Sequence, residues 1–154
     1  MKLLIVDDSR LIRFQIQDLI QLHYPDSDIR LAENGEEALT LIKQFRPQVV
    51  LLDIIMPKLS GIEVLQQIGP QLEGGDLKAI MFTSVDDKIT MKECFELGAS
   101  DFINKPVDEI ETIARLGNAF KLMALQDAYN QLKEQLSIKE REIARLTQAL
   151  ERSV

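Results

Sequence analysis

The sequence predicts an α/β fold in which five parallel strands form a doubly wound sheet with helices on both faces. Along residues 1–120, apolar segments of strand length alternate five times with segments whose apolar residues recur at helical spacing. The central apolar segment, Val49-Val50-Leu51-Leu52, consists only of branched aliphatic residues. Such a run is typical of a strand that is covered on both faces, as in a parallel sheet. Right-handed connections between parallel strands then place helices on both sides.

The individual elements follow from apolar patterning and from turn residues between the segments. The predicted strands are Lys2–Val6, Ile29–Ala32, Val49–Leu52, Leu77–Phe82 and Asp101–Ile103. The predicted helices are Arg10–Leu22, a second from Gly35 to the stop at Pro47, Gly61–Ile68, Lys88–Leu97 and a last one that begins near Asp108. We expect the third helix to end near Gly69-Pro70, because both residue types interrupt helices.

A different pattern begins at residue 122. Apolar residues recur there at alternating intervals of three and four, which is the heptad pattern of a coiled coil. These positions are Leu122, Leu125, Tyr129, Leu132, Leu136, Ile143, Leu146 and Leu150, with Lys139 in the one polar slot. We therefore predict a globular domain over residues 1–120. Over residues 121–154 we predict a coiled-coil helix, continuous with the fifth helix, that pairs two copies of the chain as a parallel homodimer.

Composition argues against several classes of protein. The formal net charge of −7 disfavours binding to nucleic acid or to an anionic membrane. No apolar run approaches membrane-spanning length, and Met1–Val6 is too short for a signal-peptide core, so we expect a cytoplasmic protein. The single cysteine, Cys94, excludes an intramolecular disulfide and is expected to be buried in a helix. The single histidine, His23, cannot form a histidine-based metal site and is expected at the end of a surface helix.

Polar residues follow four of the five predicted strands. The first strand ends on Asp7-Asp8, the third on Asp53 and the fourth on Thr83, and the fifth leads to Lys105. In a flavodoxin-like sheet of order 2-1-3-4-5, these residues lie side by side at the carboxyl edge, where such sheets bind ligands. Each alone could be a helix cap or a turn residue. Together, three carboxylates would repel one another unless a divalent cation or an ammonium group offset them, and Mg²⁺ prefers such oxygen ligands.

The segments MKLLIVDDS, VVLLDIIMP, MFTS and DFINKP together resemble the receiver domain of two-component response regulators. The resemblance covers about residues 1–120 and includes the strand ends in order. It implies that Asp53 is the phosphoacceptor. It also implies that Asp8, Asp53 and the backbone carbonyl of Ile55 bind Mg²⁺ directly, whereas Asp7 binds it largely through water.

The same resemblance assigns roles to the last two strand ends. Thr83 and Lys105 would bind phosphoryl oxygens, and the bond that precedes Pro106 would be cis. Thr83 and Phe102 would form a switch, in which the aromatic ring turns inward when the threonine moves toward the phosphoryl group. Plain core packing is the alternative role for Phe102.

The implied function is a receiver that accepts a phosphoryl group from a sensor histidine kinase or a phosphotransfer protein. It would signal to an effector through helix 4, strand 5, helix 5 and the coil, and would catalyse only its own phosphorylation and dephosphorylation. One alternative is a Mg²⁺-dependent aspartyl-phosphate phosphatase or phosphotransferase. Haloacid-dehalogenase-type hydrolases, however, carry a second Asp two residues after the nucleophile, where this chain has Ile55. A phosphorylation-independent dimeric scaffold is the other alternative.

Overall fold

The computed structural model describes residues 1–153 and confirms the doubly wound α/β fold. The strands are β1 (Lys2–Val6), β2 (Asp28–Ala32), β3 (Val49–Leu52), β4 (Lys78–Thr83) and β5 (Asp101–Asn104). The helices are α1 (Arg10–His23), α2 (Gly35–Phe45), α3 (Gly61–Glu73), α4 (Lys88–Glu96) and α5 (Glu109–Arg152). All neighbouring strands pair in parallel, in the predicted order β2-β1-β3-β4-β5. Chain contacts divide the molecule into two compact units, Met1–Met123 and Ala124–Val154.

Alternate residues of the central strands supply two separate hydrophobic cores. Leu4, Val50 and Met81 point into a core completed by α2, α3 and α4. Leu51 and Ile80 point to the opposite face, into a core completed by α1 and the first part of α5. Each fully buried aliphatic side chain contributes about 1.5–3 kcal/mol of transfer free energy. The continuous apolar run of β3 is therefore explained by burial on both faces.

Helix α3 is longer than its sequence predicts. It continues through Gly69 and Pro70 to Glu73, about one turn beyond the expected end. Pro70 is exposed; it lacks an N–H to donate within the helix, and its ring crowds the carbonyl of the residue four positions earlier. Leu72, in the added turn, packs against the core between the sheet and α2–α4. Leu72 is partly buried, and this contact with a distant part of the chain favours the added turn, which a local pattern does not reveal.

Helix α4 agrees only in part with its apolar pattern. Cys94 is fully buried, as predicted. Two other apolar residues of this helix face outward, since Ile89 is 83% and Phe95 48% exposed. His23 is the last residue of α1, and its ring lies 2.9 Å from the Glu109 carboxylate.

Helix α5 is a single helix of 44 residues, about 66 Å long at about 1.5 Å per residue. Its first part buries Thr112, Leu116, Ala119, Phe120 and Met123. All eight predicted apolar heptad residues are more than half exposed: Leu122, Leu125, Tyr129, Leu132, Leu136, Ile143, Leu146 and Leu150. None of the helices within residues 1–153 is long and apolar enough to cross a membrane.

Candidate functional site

Three carboxylates meet at the carboxyl edge of the sheet and form what we call the acidic cluster: Asp7, Asp8 and Asp53. Asp7 and Asp8 directly follow β1, and Asp53 directly follows β3, the neighbouring strand. One carboxylate oxygen from each lies within 4.8 Å of the other two. Asp7 and Asp53 are almost completely buried, whereas Asp8 is exposed. Neither Asp7 nor Asp8 caps α1, because that role belongs to Ser9.

The position of Asp7 is fixed by several hydrogen bonds. Its backbone N–H donates to the carbonyl of Ala32 (3.2 Å), and its Oδ1 accepts from the N–H of Ser9 (2.8 Å). Its carbonyl accepts from Nη1 of Arg13 (2.6 Å). The other carboxylate oxygen, Oδ2, is buried and accepts no hydrogen bond of good geometry, although Nζ of Lys105 lies 2.6 Å away. Asp7 therefore keeps one partly satisfied oxygen within the acidic cluster.

Arg13 is a site residue that sequence reasoning missed. It is only 9% exposed, although it carries a full charge. The sequence does indicate that Arg13 is buried, because Arg13, Ile16 and Ile20 follow one another at intervals of three and four residues. That spacing places the arginine on the buried stripe of α1. A charged residue at such a position is rarely buried without a polar partner, and here the partner is the Asp7 carbonyl.

Lys105 supplies the ammonium of the site and lies between two of the carboxylates. Its Nζ is 2.6 Å from Oδ2 of Asp7 and 2.8 Å from Oδ2 of Asp53. Burial of the ammonium disfavours its charge, but the hydrogen bonds and charges of Asp53 and Asp7 together outweigh this and raise the pKa of Lys105. At Asp7, burial outweighs the help from Lys105 and from the Ser9 N–H, so the pKa of this carboxyl is raised. One shared ammonium therefore does not fully compensate the acidic cluster.

These observations fit a divalent metal ion. The donor set consists of carboxylate oxygens, which are ligands that Mg²⁺ prefers. The buried Oδ2 of Asp7 is an acceptor with unused capacity, and burial is the main cause of the raised pKa of this carboxyl. The exposed Asp8 lies on the solvent side, where a metal ion can enter.

Hydrogen bonds and the close approach of α3 constrain the chain around Asp53. Its Oδ1 accepts a hydrogen bond of 3.3 Å from the N–H of Ile55, and its Oδ2 accepts one of 2.8 Å from Lys105. The start of α3 crosses directly against this segment, since the N–H of Gly61 donates to the carbonyl of Ile54 (2.9 Å). A Cβ atom at position 61 would lie only 2.1 Å from the Asp53 carbonyl oxygen. Only glycine therefore permits this approach.

Thr83 and Phe102 lie on the two adjacent strands β4 and β5. Thr83 is fully buried, and its hydroxyl accepts a hydrogen bond of 3.2 Å from the N–H of Val85. Phe102 is 6% exposed, and its ring packs against Phe95 of α4 with centroids 5.0 Å apart. The ring thus lies inward in this structure. The N–H of Lys105 donates to the Thr83 carbonyl (3.0 Å), which links the two strand ends directly.

The peptide bond between Lys105 and Pro106 is cis, the isomer that the resemblance implies.

A family model described as "Response regulator receiver domain" matches residues 3–117, well over half of the chain. The chain belongs to this receiver family.

Named relatives agree with this assignment. Protein PilH of Pseudomonas aeruginosa is 34% identical over 118 residues, which cover 77% of this chain and 95% of PilH. Response regulator MprA of Mycolicibacterium vanbaalenii is 35% identical over 115 residues, which cover 75% of this chain but only 48% of MprA. The chain therefore matches about half the length of MprA-type relatives.

The fold also matches solved receiver domains. The signal receiver domain of a putative LuxO repressor protein from Vibrio parahaemolyticus superposes with a TM-score of 0.76 at 25% sequence identity. The match covers 83% of this chain and 95% of that domain. Most of the receiver domain therefore has its counterpart in a known structure.

Proposed function

We propose that this receiver accepts a phosphoryl group on Asp53 from a sensor histidine kinase or a phosphotransfer protein, in a Mg²⁺-dependent reaction in the cytoplasm. The observation that carries the proposal is the environment of Asp53. This carboxylate is 4% exposed, belongs to a cluster of three carboxylates and accepts a 2.8 Å hydrogen bond from the ammonium group of Lys105. Lys105 contacts Asp7 as well as Asp53, and it is the family resemblance that selects Asp53, the carboxylate directly after β3, as the nucleophile.

In the proposed reaction, a carboxylate oxygen of Asp53 attacks phosphorus, an O–P bond forms and the P–N bond of a phosphohistidine donor breaks. The donor imidazole leaves with the electron pair and takes up a proton from solvent. Lys105 would move from the carboxylates to a phosphoryl oxygen, and the Thr83 hydroxyl would donate to another. Mg²⁺ held by Asp7, Asp8, Asp53 and the Ile55 carbonyl would neutralise charge on the transferred group.

Two alternatives are less well supported. A Mg²⁺-dependent phosphatase or phosphotransferase that acts on a separate substrate needs a group to protonate the leaving oxygen. Ile55 is apolar, 65% exposed and unable to transfer a proton at the position where dehalogenase-type enzymes carry an aspartate. A scaffold that is never phosphorylated would not need two buried carboxylates in contact with one ammonium group, which is a costly arrangement to bury.

The response is proposed to pass from Thr83 to α4, β5 and α5. The Thr83 hydroxyl now accepts a hydrogen bond from Val85, the second residue of the β4–α4 loop. When the hydroxyl turns to the phosphoryl group, this bond is lost and the loop is released. Phe102 and Phe95, which pack together, would then adjust the α4–β5 surface.

The heptad segment is proposed to pair with a second copy of the chain and to relay the signal to an effector. Its eight apolar residues are 55–68% exposed, and a two-stranded coil would bury them. Lys139 in one core position and Tyr129 in another weaken such a coil. A weak coil suits a signalling helix, because small changes in α5 can alter its packing.

Hydrogen exchange tests the proposed switch. Beryllofluoride, which mimics a phosphoryl group, should change exchange over residues 84–107 in the wild type. Thr83→Ser, which keeps the hydroxyl, should respond in the same way, whereas Thr83→Ala should not. An equal response in Thr83→Ala would show that the threonine hydroxyl does not carry the switch.

Light scattering tests the dimer. The full chain should be dimeric at micromolar concentration, and the double variant Leu132→Glu, Leu136→Glu should be monomeric. A monomeric wild type, with and without beryllofluoride, would contradict the coiled-coil proposal.

A further inference from the structure

A buried arginine holds the peptide bond that joins the acidic pair, Asp7 and Asp8. Nη1 of Arg13 donates a 2.6 Å hydrogen bond to the Asp7 carbonyl, and only 9% of the arginine is exposed. Hydrogen bonds with a charged donor are shorter and stronger than neutral ones. Because the Asp7 carbonyl belongs to the peptide plane that leads into Asp8, Arg13 restrains the backbone of both carboxylates.

The sheet ends before it can offer a backbone partner to this carbonyl. The Asp7 N–H donates to the carbonyl of Ala32, the last residue of β2. A parallel ladder that continued would next bring the N–H of residue 34 to the Asp7 carbonyl. Asn34 instead caps α2. The Arg13 guanidinium therefore takes the place of a strand N–H at the point where β1 delivers the acidic pair.

The position of the Asp8 carboxylate depends on this backbone. Its side chain is exposed, and among residues 1–153 no hydrogen bond or ion pair orients its carboxylate. By contrast, Oδ1 of Asp7 accepts from the N–H of Ser9, and Oδ1 of Asp53 accepts from the N–H of Ile55. Asp8 is thus the member of the acidic cluster whose placement relies most on the peptide that Arg13 holds.

Charge pairing does not explain why Arg13 is buried. Its Nη2 lies 4.0 Å from Oε2 of Glu33, and the Glu33 side chain is 66% exposed. An ion pair at this distance with an exposed partner contributes little to stability. The short, buried hydrogen bond to the Asp7 carbonyl is the stronger contact.

We propose that Arg13 is a positioning residue for Mg²⁺ binding, which holds the Asp7 carbonyl and so places the Asp8 carboxylate where it can bind the metal ion. The inference rests on the proposed Mg²⁺-dependent function of the site. Residues that orient metal ligands through hydrogen bonds change metal affinity by about tenfold to a hundredfold when they are replaced. Arg13 would act on the metal only through the acidic pair.

Charge and position predict opposite effects when Arg13 is replaced. A guanidinium group repels a nearby cation, so on charge alone its removal should tighten Mg²⁺ binding. Loss of the hydrogen bond releases the Asp7–Asp8 peptide and should weaken Mg²⁺ binding. The direction in which the Kd changes therefore separates the two effects.

Amide NMR titration of the full chain with magnesium chloride measures this Kd at Asp8, Ser9 and Ile55. Arg13→Gln should raise the Kd at least about tenfold. Arg13→Lys keeps the charge and a shorter donor, and its Kd should lie between those of the wild type and Arg13→Gln. Arg10→Gln is the matched control, because it removes the same charge from the exposed first residue of α1 and should not raise the Kd.

Two further measurements separate positioning from general damage to the fold. Mg²⁺ stabilises the native state by an amount that falls as the Kd rises, so it should raise the urea midpoint of Arg13→Gln less than that of the wild type. Acetyl-phosphate labelling of Arg13→Gln should need about tenfold more Mg²⁺ for half its maximal rate. The rate at saturating Mg²⁺ should approach that of the wild type, because the hydrogen bond restrains the acidic pair rather than Asp53.

Several results would overturn the positioning role. These are an unchanged or lower Kd in Arg13→Gln, an equal rise of the Kd in Arg10→Gln, and a labelling rate of Arg13→Gln that stays low at saturating Mg²⁺. If Arg13→Gln does not fold, Arg13→Lys decides, and a Kd no higher than that of the wild type refutes the role. A wild type that neither binds Mg²⁺ nor becomes labelled would overturn the proposed function as well, whereas normal wild-type binding and labelling confine the failure to Arg13.

Discussion

The close approach of α3 to the phosphoacceptor makes Gly61→Ala the most informative single substitution. The added Cβ would lie 2.1 Å from the Asp53 carbonyl oxygen, 2.9 Å from its carbonyl carbon and 3.0 Å from the Ile54 Cα. All three atoms belong to the backbone, so no side chain can rotate away. The end of β3 or the start of α3 must shift instead. We expect a loss of about 3 kcal/mol in the free energy of unfolding, at the upper end for overpacking.

The same displacement should impair phosphorylation, because it moves the backbone that positions the Asp53 carboxylate. A misplacement of about 1 Å costs on the order of a hundredfold in rate. The assay combines urea unfolding with acetyl-phosphate labelling followed by intact-protein mass spectrometry, under conditions in which both proteins are folded.

Gly69→Ala on the same helix is the matched control. A Cβ atom there meets nothing within 4 Å outside the adjacent residues. The gain in helix propensity of about 1 kcal/mol is opposed by the restriction that Pro70 places on the residue before it. We expect a stability change of less than about 0.5 kcal/mol and normal labelling. If Gly61→Ala matched Gly69→Ala in both stability and labelling rate, the account of this contact would be wrong.

Three further predictions concern charge and burial. In EDTA, Lys105→Met should lower the free energy of unfolding by about 2–3 kcal/mol, because the acidic cluster loses its ammonium group. Mg²⁺ should restore more stability to this variant than to the wild type. Equal Mg²⁺ stabilisation of both proteins would argue against this reasoning. Hydrogen bonds from the Ser60 backbone and hydroxyl lower the pKa of Glu63, so its stabilisation is present above the unfolded pKa and lost as pH falls through the folded pKa. Glu63→Gln keeps the capping partner and should lose less stability than the wild type as the solution is acidified through this range, as followed by urea midpoints. Burial raises the pKa of the Cys94 thiol to about 11, which leaves little reactive thiolate in the folded protein. A thiol reagent should therefore label Cys94 only as the protein unfolds. Rapid labelling of the native protein would contradict this expectation.

Sequence reasoning succeeded where a local pattern determines the structure. The uninterrupted aliphatic run before Asp53 predicted a strand covered on both faces, and β3 is buried along its whole length. Strand ends share one edge in any parallel sheet, so the proximity of Asp7, Asp8 and Asp53 followed once the strand order was inferred. The heptad spacing likewise predicted that the C-terminal segment is helical, and α5 continues to Arg152.

Sequence reasoning failed where a contact between distant segments decides the outcome. Gly61 looked like an ordinary helix start, and only the packing of α3 against Asp53 reveals why it must be glycine. The sequence analysis did not single out Arg13, and its partner, the Asp7 carbonyl, is known only from the packed structure. Helix α3 passes Pro70, and the added turn packs the partly buried Leu72 against the core. In each case, tertiary packing overrides information that a short window of sequence carries.

The central claim is that Asp53 is the phosphoacceptor of a metal-dependent receiver. Its most direct test is mass spectrometry of the full chain after treatment with acetyl phosphate and Mg²⁺, with Asp53→Asn as the near-isosteric comparison. The account predicts a single phosphoryl adduct on the wild type that is absent from Asp53→Asn and absent when EDTA is in excess. Undiminished labelling of Asp53→Asn, or labelling that EDTA does not affect, would contradict it.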